Sequence, residues 1–146
     1  LPQKEREYLS LEEMVRIAQE VGGKNHGFRF IQLPYNIAYR EAFLLKNQSV
    51  GDDNDLTILQ ACNKLDIGVF TSVPLLQTKL FGAKIPDYLG YENQLLKIVQ
   101  ITRSTPNVLA PLIGQKKPNH VKENIQLAKV APLTIAEFND AIKIFS

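Results

Sequence analysis

Cysteine is nearly absent from this chain. The sole one, Cys62, excludes an internal disulfide and a metal site built from cysteines. A surplus of either charge is lacking too: 17 Lys and Arg face 15 Asp and Glu, for a formal charge of +2. That near-balance removes the general electrostatic case for nucleic acid or an anionic membrane as the main partner. No apolar run approaches the roughly 20 residues that span a bilayer. The opening LPQKEREYLS is polar and has no apolar stretch of the kind a secretory leader carries. Length sets a further limit. The 146 residues fall short of the about 250 that a complete eight-fold β/α barrel needs, yet they suffice for a real core. These features point to a cytoplasmic α/β protein with a single domain over residues 1–146.

What is present reads as alternating helices and apolar strands. Ser10 and Glu13 form a capping-box pattern, and apolar Leu11, Met14, Val15, Ile17, Ala18 and Val21 follow at helical spacing. Gly22-Gly23 supplies the stop, so a helix is predicted over about 10–21. Residues 28–33 (FRFIQL) are short, aromatic and β-branched, and predict a strand closed by Pro34. A weaker helical segment follows from Tyr39 to Lys46. The run KNQSVGDDN reads as a polar loop. Asp55 is the expected cap of a helix carrying Leu56, Leu59, Ala61, Cys62 and Leu65. Ile67 to Thr71 predicts a second strand, and residues 75–90 a long connection.

A helix is expected from about Glu92 to Arg103, then a third strand over Val108–Ile113. A further helix starts near Pro118, which suits a first helical turn. A second capping box, Thr134 with Glu137, opens the last helix. Strands separated by helices imply parallel pairing with right-handed crossovers.

In such folds chemistry collects beyond the C-terminal ends of the strands. The third strand end is the richest. Gly114 allows close backbone approach, and the helix N-terminus that follows offers free N–H groups. Residues 111–130 hold four lysines and one glutamate, with Lys116, Lys117 and His120 beside that helix start. The pattern suits an anion such as a nucleotide phosphate; a solvated loop with surface lysines is the alternative. Ser72 has no histidine nearby in sequence, so a nucleophilic triad lacks support. Cys62, on an apolar helix side, reads as an inert buried thiol. His26 and His120 are too far apart in sequence to argue for a metal pair. No catalytic or metal-binding residue is assigned.

The motifs around these strand ends resemble those of the aldo/keto reductases. The resemblance is carried by Ile31-Gln32-Leu33-Pro34-Tyr35-Asn36, by Ile67 through Leu75, and by Gln100–Val108, Leu112–Gly114 and Pro118–Ile125. It extends from about residue 10 to residue 145. It implies the C-terminal part of a (β/α)8 barrel, truncated to strands six, seven and eight. It also implies an NADP(H) site, with NAD(H) as the alternative. By this resemblance Gln32 meets the nicotinamide amide, and Ser72 replaces a stacking aromatic ring. Val73, Pro74 and Leu75 run along the pyrophosphate. Gly114, Gln115 and Lys116 hold the adenosine 2′-phosphate. His120 stands where a phosphate-binding arginine is common, and Glu123 and Asn124 meet the adenine edge. The family's catalytic Asp, Tyr, Lys and His belong to the first four strands and have no counterpart here. The implied protein is thus an oxidoreductase portion that binds cofactor and is inactive alone. A non-catalytic dinucleotide- or phosphate-binding module, or a self-associating one, is the alternative. An open three-stranded sheet leaves an apolar face and edges uncovered. The expected partners are therefore the dinucleotide, and either a missing N-terminal barrel half or a second copy.

Overall fold

A computed structural model describes residues 3–88 and 90–145. Helix α1 (Leu11–Gly22) begins at Ser10, whose Oγ accepts from the Glu13 N–H at 3.4 Å. Only half of the expected capping box forms, because the Glu13 carboxylate turns to Arg16 instead. Gly23 ends the helix at φ 67°, a conformation that costs glycine nothing.

The central sheet has three parallel strands in the order β1 (Phe30–Pro34), β4 (Gly68–Ser72), β5 (Val108–Pro111). Phe30 pairs with Gly68 and Pro34 with Ser72, while Val69 pairs with Val108. Each strand arises where the sequence shows an apolar run, displaced by one or two residues. Pro34 and Pro111 are the last residues of their strands, where a missing N–H is tolerated.

Helices cover one face of this sheet. Ile31, Leu33 and Val69 pack there with Leu11 and Val15 of α1, and with Leu59 and Cys62 of α3 (Ile58–Lys64). A second core joins α4 (Gln94–Ser104) to α6 (Ile135–Ile144) through Ile98, Ile101, Phe138 and Ile142. The other sheet face is open. Phe30 is 58% exposed and Leu109 57%. Their side chains close over Gly68, where any Cβ would lie 2.6 Å from both Leu109 Cδ1 and Phe30 Cδ1. The rings of Phe30 and Phe70 lie 5.7 Å apart on the same face.

Residues 46–57 overturn the expected reading. The polar loop is a hairpin of β2 (Lys46–Val50) and β3 (Asp53–Thr57). Asp55 lies within β3 at φ 57° and caps nothing. The helix start belongs to Thr57, which with Gln60 completes a capping box, so Leu56 is a strand residue. The segment from Tyr39 to Lys46 shortens to one helical turn, α2 (Glu41–Leu44).

A buried amide ties the polar hairpin to the start of α1. Gln48 is 3% exposed; its Oε1 accepts from the Leu11 N–H at 2.9 Å, and its Nε2 donates to the Leu9 carbonyl at 3.2 Å. It thereby satisfies one of the orphan donors at the start of α1. Gln48→Leu strands both backbone groups and is expected to cost about 2 kcal/mol. Urea denaturation checks this, and an unchanged midpoint would refute it.

Helix α5 (Pro118–Leu127) follows β5, with Pro118 in its first turn as expected. Its C-terminus is tied to α4. Arg103 donates through Nη1 to the Leu127 carbonyl at 2.6 Å, through Nη2 to the Val130 carbonyl, and through Nε to Gln100 Oε1 at 2.5 Å. Gln100, fully buried, donates in turn to the Ala131 carbonyl at 2.7 Å.

Candidate functional site

The C-terminal ends of β4 and β5 open into a cleft of about 470 Å³. That volume lies within the range of small-molecule sites. One wall is the segment leaving β4, with Val73, Pro74, Leu75, Gln77 and Thr78. The segment leaving β5 gives Leu112, Ile113 and Gly114, and α5 gives His120, Glu123 and Asn124. Phe81 and Leu95 complete the lining. The parallel topology explains the convergence. Leu112 continues the sheet, its N–H donating to the Thr71 carbonyl at 2.8 Å, so both exits leave side by side.

The β4 exit is bent sharply. Val73, Leu76, Gln77 and Thr78 all have positive φ, between 47° and 72°. None is a glycine, and left-handed backbone is sterically costly for each of them. Asn36 reaches this turn from the β1 exit. Its Nδ2 donates to the Val73 carbonyl at 2.9 Å.

The α5 end of the cleft can receive negative charge. No side chain caps the α5 N-terminus, and no acidic residue lies in its first turn. Lys116 and Lys117 lie exposed directly before it. Asn124 Nδ2 donates to the Gly114 carbonyl at 3.5 Å, bridging helix and loop. A cationic loop beside free N–H groups is the arrangement that binds phosphate.

Seven residues singled out from the sequence therefore share one cleft: Val73, Pro74, Leu75, Gly114, His120, Glu123 and Asn124. Gln115 and Lys116 sit in the exposed loop at its rim, outside the lining. Gln32 and Ser72 do not join it. They share the open sheet face, since Gln32 pairs with Phe70 and Ser72 with Pro34. Sequence reasoning missed Gln77, Thr78, Phe81 and Leu95, and it gave Asn36 no role.

Other candidates are accounted for by packing. Cys62 is fully buried, and burial pushes its thiol up to about 12, which keeps it protonated and unreactive near neutral pH. Tyr35 is also fully buried, its hydroxyl 3.0 Å from that of Thr105, and burial raises its pKa. Among the described residues no group of three or more His, Cys, Asp and Glu is placed to hold a metal ion. Nor is any helix among them long and apolar enough to cross a membrane.

Parallel strands with helices on one face, and a cleft at the C-terminal strand ends, define part of a (β/α)8 barrel, not closed into a ring. Solved structures of aldo-keto reductases share this arrangement. Aldo-keto reductase AKR11C1 from Bacillus halodurans, in its holo form, superimposes with a TM-score of 0.57 at 17% identity. The match covers 92% of this chain and 47% of that one. The thermostable aldo-keto reductase Tm1743, in complex with the inhibitor epalrestat, gives a TM-score of 0.57 at 18% identity, covering 90% of this chain and 44% of that one. The apo form of AKR11C1 gives 0.54 at 16% identity, covering 91% and 47%. The chain thus spans a little under half the length of these enzymes, and the likeness establishes a shared fold. No protein-family model and no curated protein matches the sequence.

Proposed function

We propose that the cleft takes the adenosine-phosphate side of a nicotinamide dinucleotide, and that the chain is the cofactor-binding portion of an aldo/keto reductase-like oxidoreductase. The observation that carries this reading is convergence. Two stretches 39 positions apart in sequence, Val73–Leu75 and the one holding Gly114, His120, Glu123 and Asn124, line a single cleft beside an uncapped helix N-terminus. The donor set fits the group. Lys116 and the first N–H groups of α5 suit a phosphate, the apolar walls suit a flat base, and Glu123 and Asn124 suit its polar edge. Gln32 and Ser72, on the open face, would serve the nicotinamide end. When bound, the nicotinamide supplies or accepts hydride. NADP(H) is the first candidate because Lys116 and Lys117 add charge at the rim, with NAD(H) as the alternative.

The test is an NADPH titration of the 146-residue chain, followed by cofactor fluorescence. Saturable binding is expected, weakened roughly three- to tenfold by Lys116→Ala as one charge-assisted contact is lost. Absence of binding up to millimolar NADPH would overturn the reading. Carbonyl reduction also needs a proton donor near the carbonyl, and the sequence motifs matched here supply none. The chain alone should therefore oxidise no NADPH above blank with a panel of aldehydes; clear turnover would refute this part.

The open sheet face favours a second activity, self-association. A parallel sheet is ordinarily covered on both faces, and Phe30 and Leu109 are exposed on this one. A second copy, or a complementary set of barrel strands, would cover them.

A further inference from the structure

We infer that Asn36 is a positioning residue that holds the exit of β4 in the strained shape forming one wall of the cleft. The inference rests on the cleft being the nucleotide site, and it adds the device that sets its shape.

Val73 is the last place where left-handed backbone is expected. It is β-branched, so its side chain crowds its own backbone at φ 51°. It also precedes Pro74, and a residue before proline is driven towards extended conformations. Local sequence therefore opposes the observed geometry twice, and something outside the segment imposes it.

Asn36 is what reaches it from outside. Its side chain is 1% exposed and every polar atom of it is used. Oδ1 accepts from the N–H groups of Ala38 and Tyr39, both at 2.8 Å, which locks the amide into a turn of its own loop. The Asn36 N–H donates to the Tyr39 carbonyl at 3.1 Å, and the Tyr35 N–H donates to the Ser72 carbonyl at 3.2 Å, so the loop itself is fixed to the end of β4. From that platform Nδ2 donates to the Val73 carbonyl at 2.9 Å. The carboxamide is thus a rigid strut between two strand exits. With the Val73 carbonyl held, Pro74 and Leu75 are presented to the cleft. The Leu76 N–H also donates to that carbonyl, at 2.9 Å from within the turn; without the strut this local bond alone holds it, and Val73 relaxes out of the left-handed region and the wall moves.

The experiment compares Asn36→Ser with the parent chain and with an Asn36→Ser/Val73→Gly double variant. Serine keeps a hydroxyl for the local turn and is too short for the Val73 carbonyl. Asn36→Asp, which matches asparagine in size and lacks only the donor, is the second variant. Each is read by thermal unfolding, by backbone amide NMR shifts without ligand, and by NADPH titration.

The expected result is a folded Asn36→Ser chain whose shifts move at residues 73–78, with NADPH affinity about tenfold lower, the scale of one buried hydrogen bond. Val73→Gly should recover most of that affinity in the double variant, because glycine holds a positive φ without being driven out of it. A residue of merely structural importance predicts no such recovery. Unmoved shifts at 73–78, or unchanged affinity in a chain that binds NADPH, would overturn the assignment. So would failure of both Asn36 variants to fold, since a strut for one loop is dispensable to the fold. If the parent chain binds no NADPH, the functional reading fails on its own, and the ligand-free shifts still decide the role of Asn36.

Discussion

Arg103→Met is expected to lower the stability of the chain by about 3 kcal/mol, the largest effect of any single change considered. The guanidinium satisfies three acceptors at once: the Leu127 and Val130 carbonyls and Gln100 Oε1. Two of these are backbone groups at and just beyond the C-terminus of α5, where helices leave carbonyls without partners. Methionine preserves the packing of the stem and removes every donor: the half-buried Val130 carbonyl and Gln100 Oε1 lose the guanidinium, and the Leu127 carbonyl keeps only the Val130 N–H. Hydrogen bonds from a charged donor are individually worth more than neutral ones. Partial exposure of Arg103 lets water replace some of the loss, which keeps the estimate to about 3 kcal/mol rather than the sum of three bonds. For a domain of this size that is a fall of roughly 10 °C in Tm. Arg103→Lys should recover less than half of it, since one ammonium cannot span a planar fork of acceptors. A Tm within about 2 °C of the parent for Arg103→Met would show that the clamp carries little weight.

The second large effect concerns association rather than stability. The parent chain is expected to sediment as a dimer or larger species, and the Phe30→Lys/Leu109→Lys variant as a monomer with an unchanged circular dichroism spectrum. Both side chains are more than half exposed, so charging them sacrifices little of the core. They lie together over Gly68, at the N-terminal end of the uncovered apolar face. Two like charges there oppose any self-complementary contact, whichever register it adopts. Analytical ultracentrifugation at rising concentration measures this directly. A parent chain that stays monomeric at high concentration would sink the proposal.

The strands and long helices were legible because each is specified by its own residues. Apolar runs such as Ile67–Phe70 need only a sheet and a layer of helices to bury them. The hairpin was not legible, because its support is elsewhere. Lys46–Val50 is polar throughout except Val50, and it is held by contacts to distant residues, among them the buried bond of Gln48 to a helix start 37 residues back. A signal was nevertheless available: Thr57 and Gln60 have capping-box spacing, which places the helix start after residue 57 rather than at Asp55. The cleft divides the same way. Residues directly following the strands could be placed from the topology of parallel folds. Gln77, Thr78 and Phe81 could not, because the left-handed turn that swings them inward contains no glycine or asparagine to announce it. That turn, like Val73, is a product of tertiary contacts.

The spacing of the strand pairings has a kinetic consequence. Phe30 meets Gly68, 38 positions on, and Val69 meets Val108, 39 positions on. Only β2 and β3 pair between near neighbours, across a two-residue turn. Closing long loops before any contact rewards them slows folding, whereas hairpins form within microseconds. Sheet assembly is therefore the late, slow event, and every wall of the cleft depends on it. During synthesis the cleft cannot exist until β5 and α5 have emerged, so whatever occupies it can stabilise the chain only after that point.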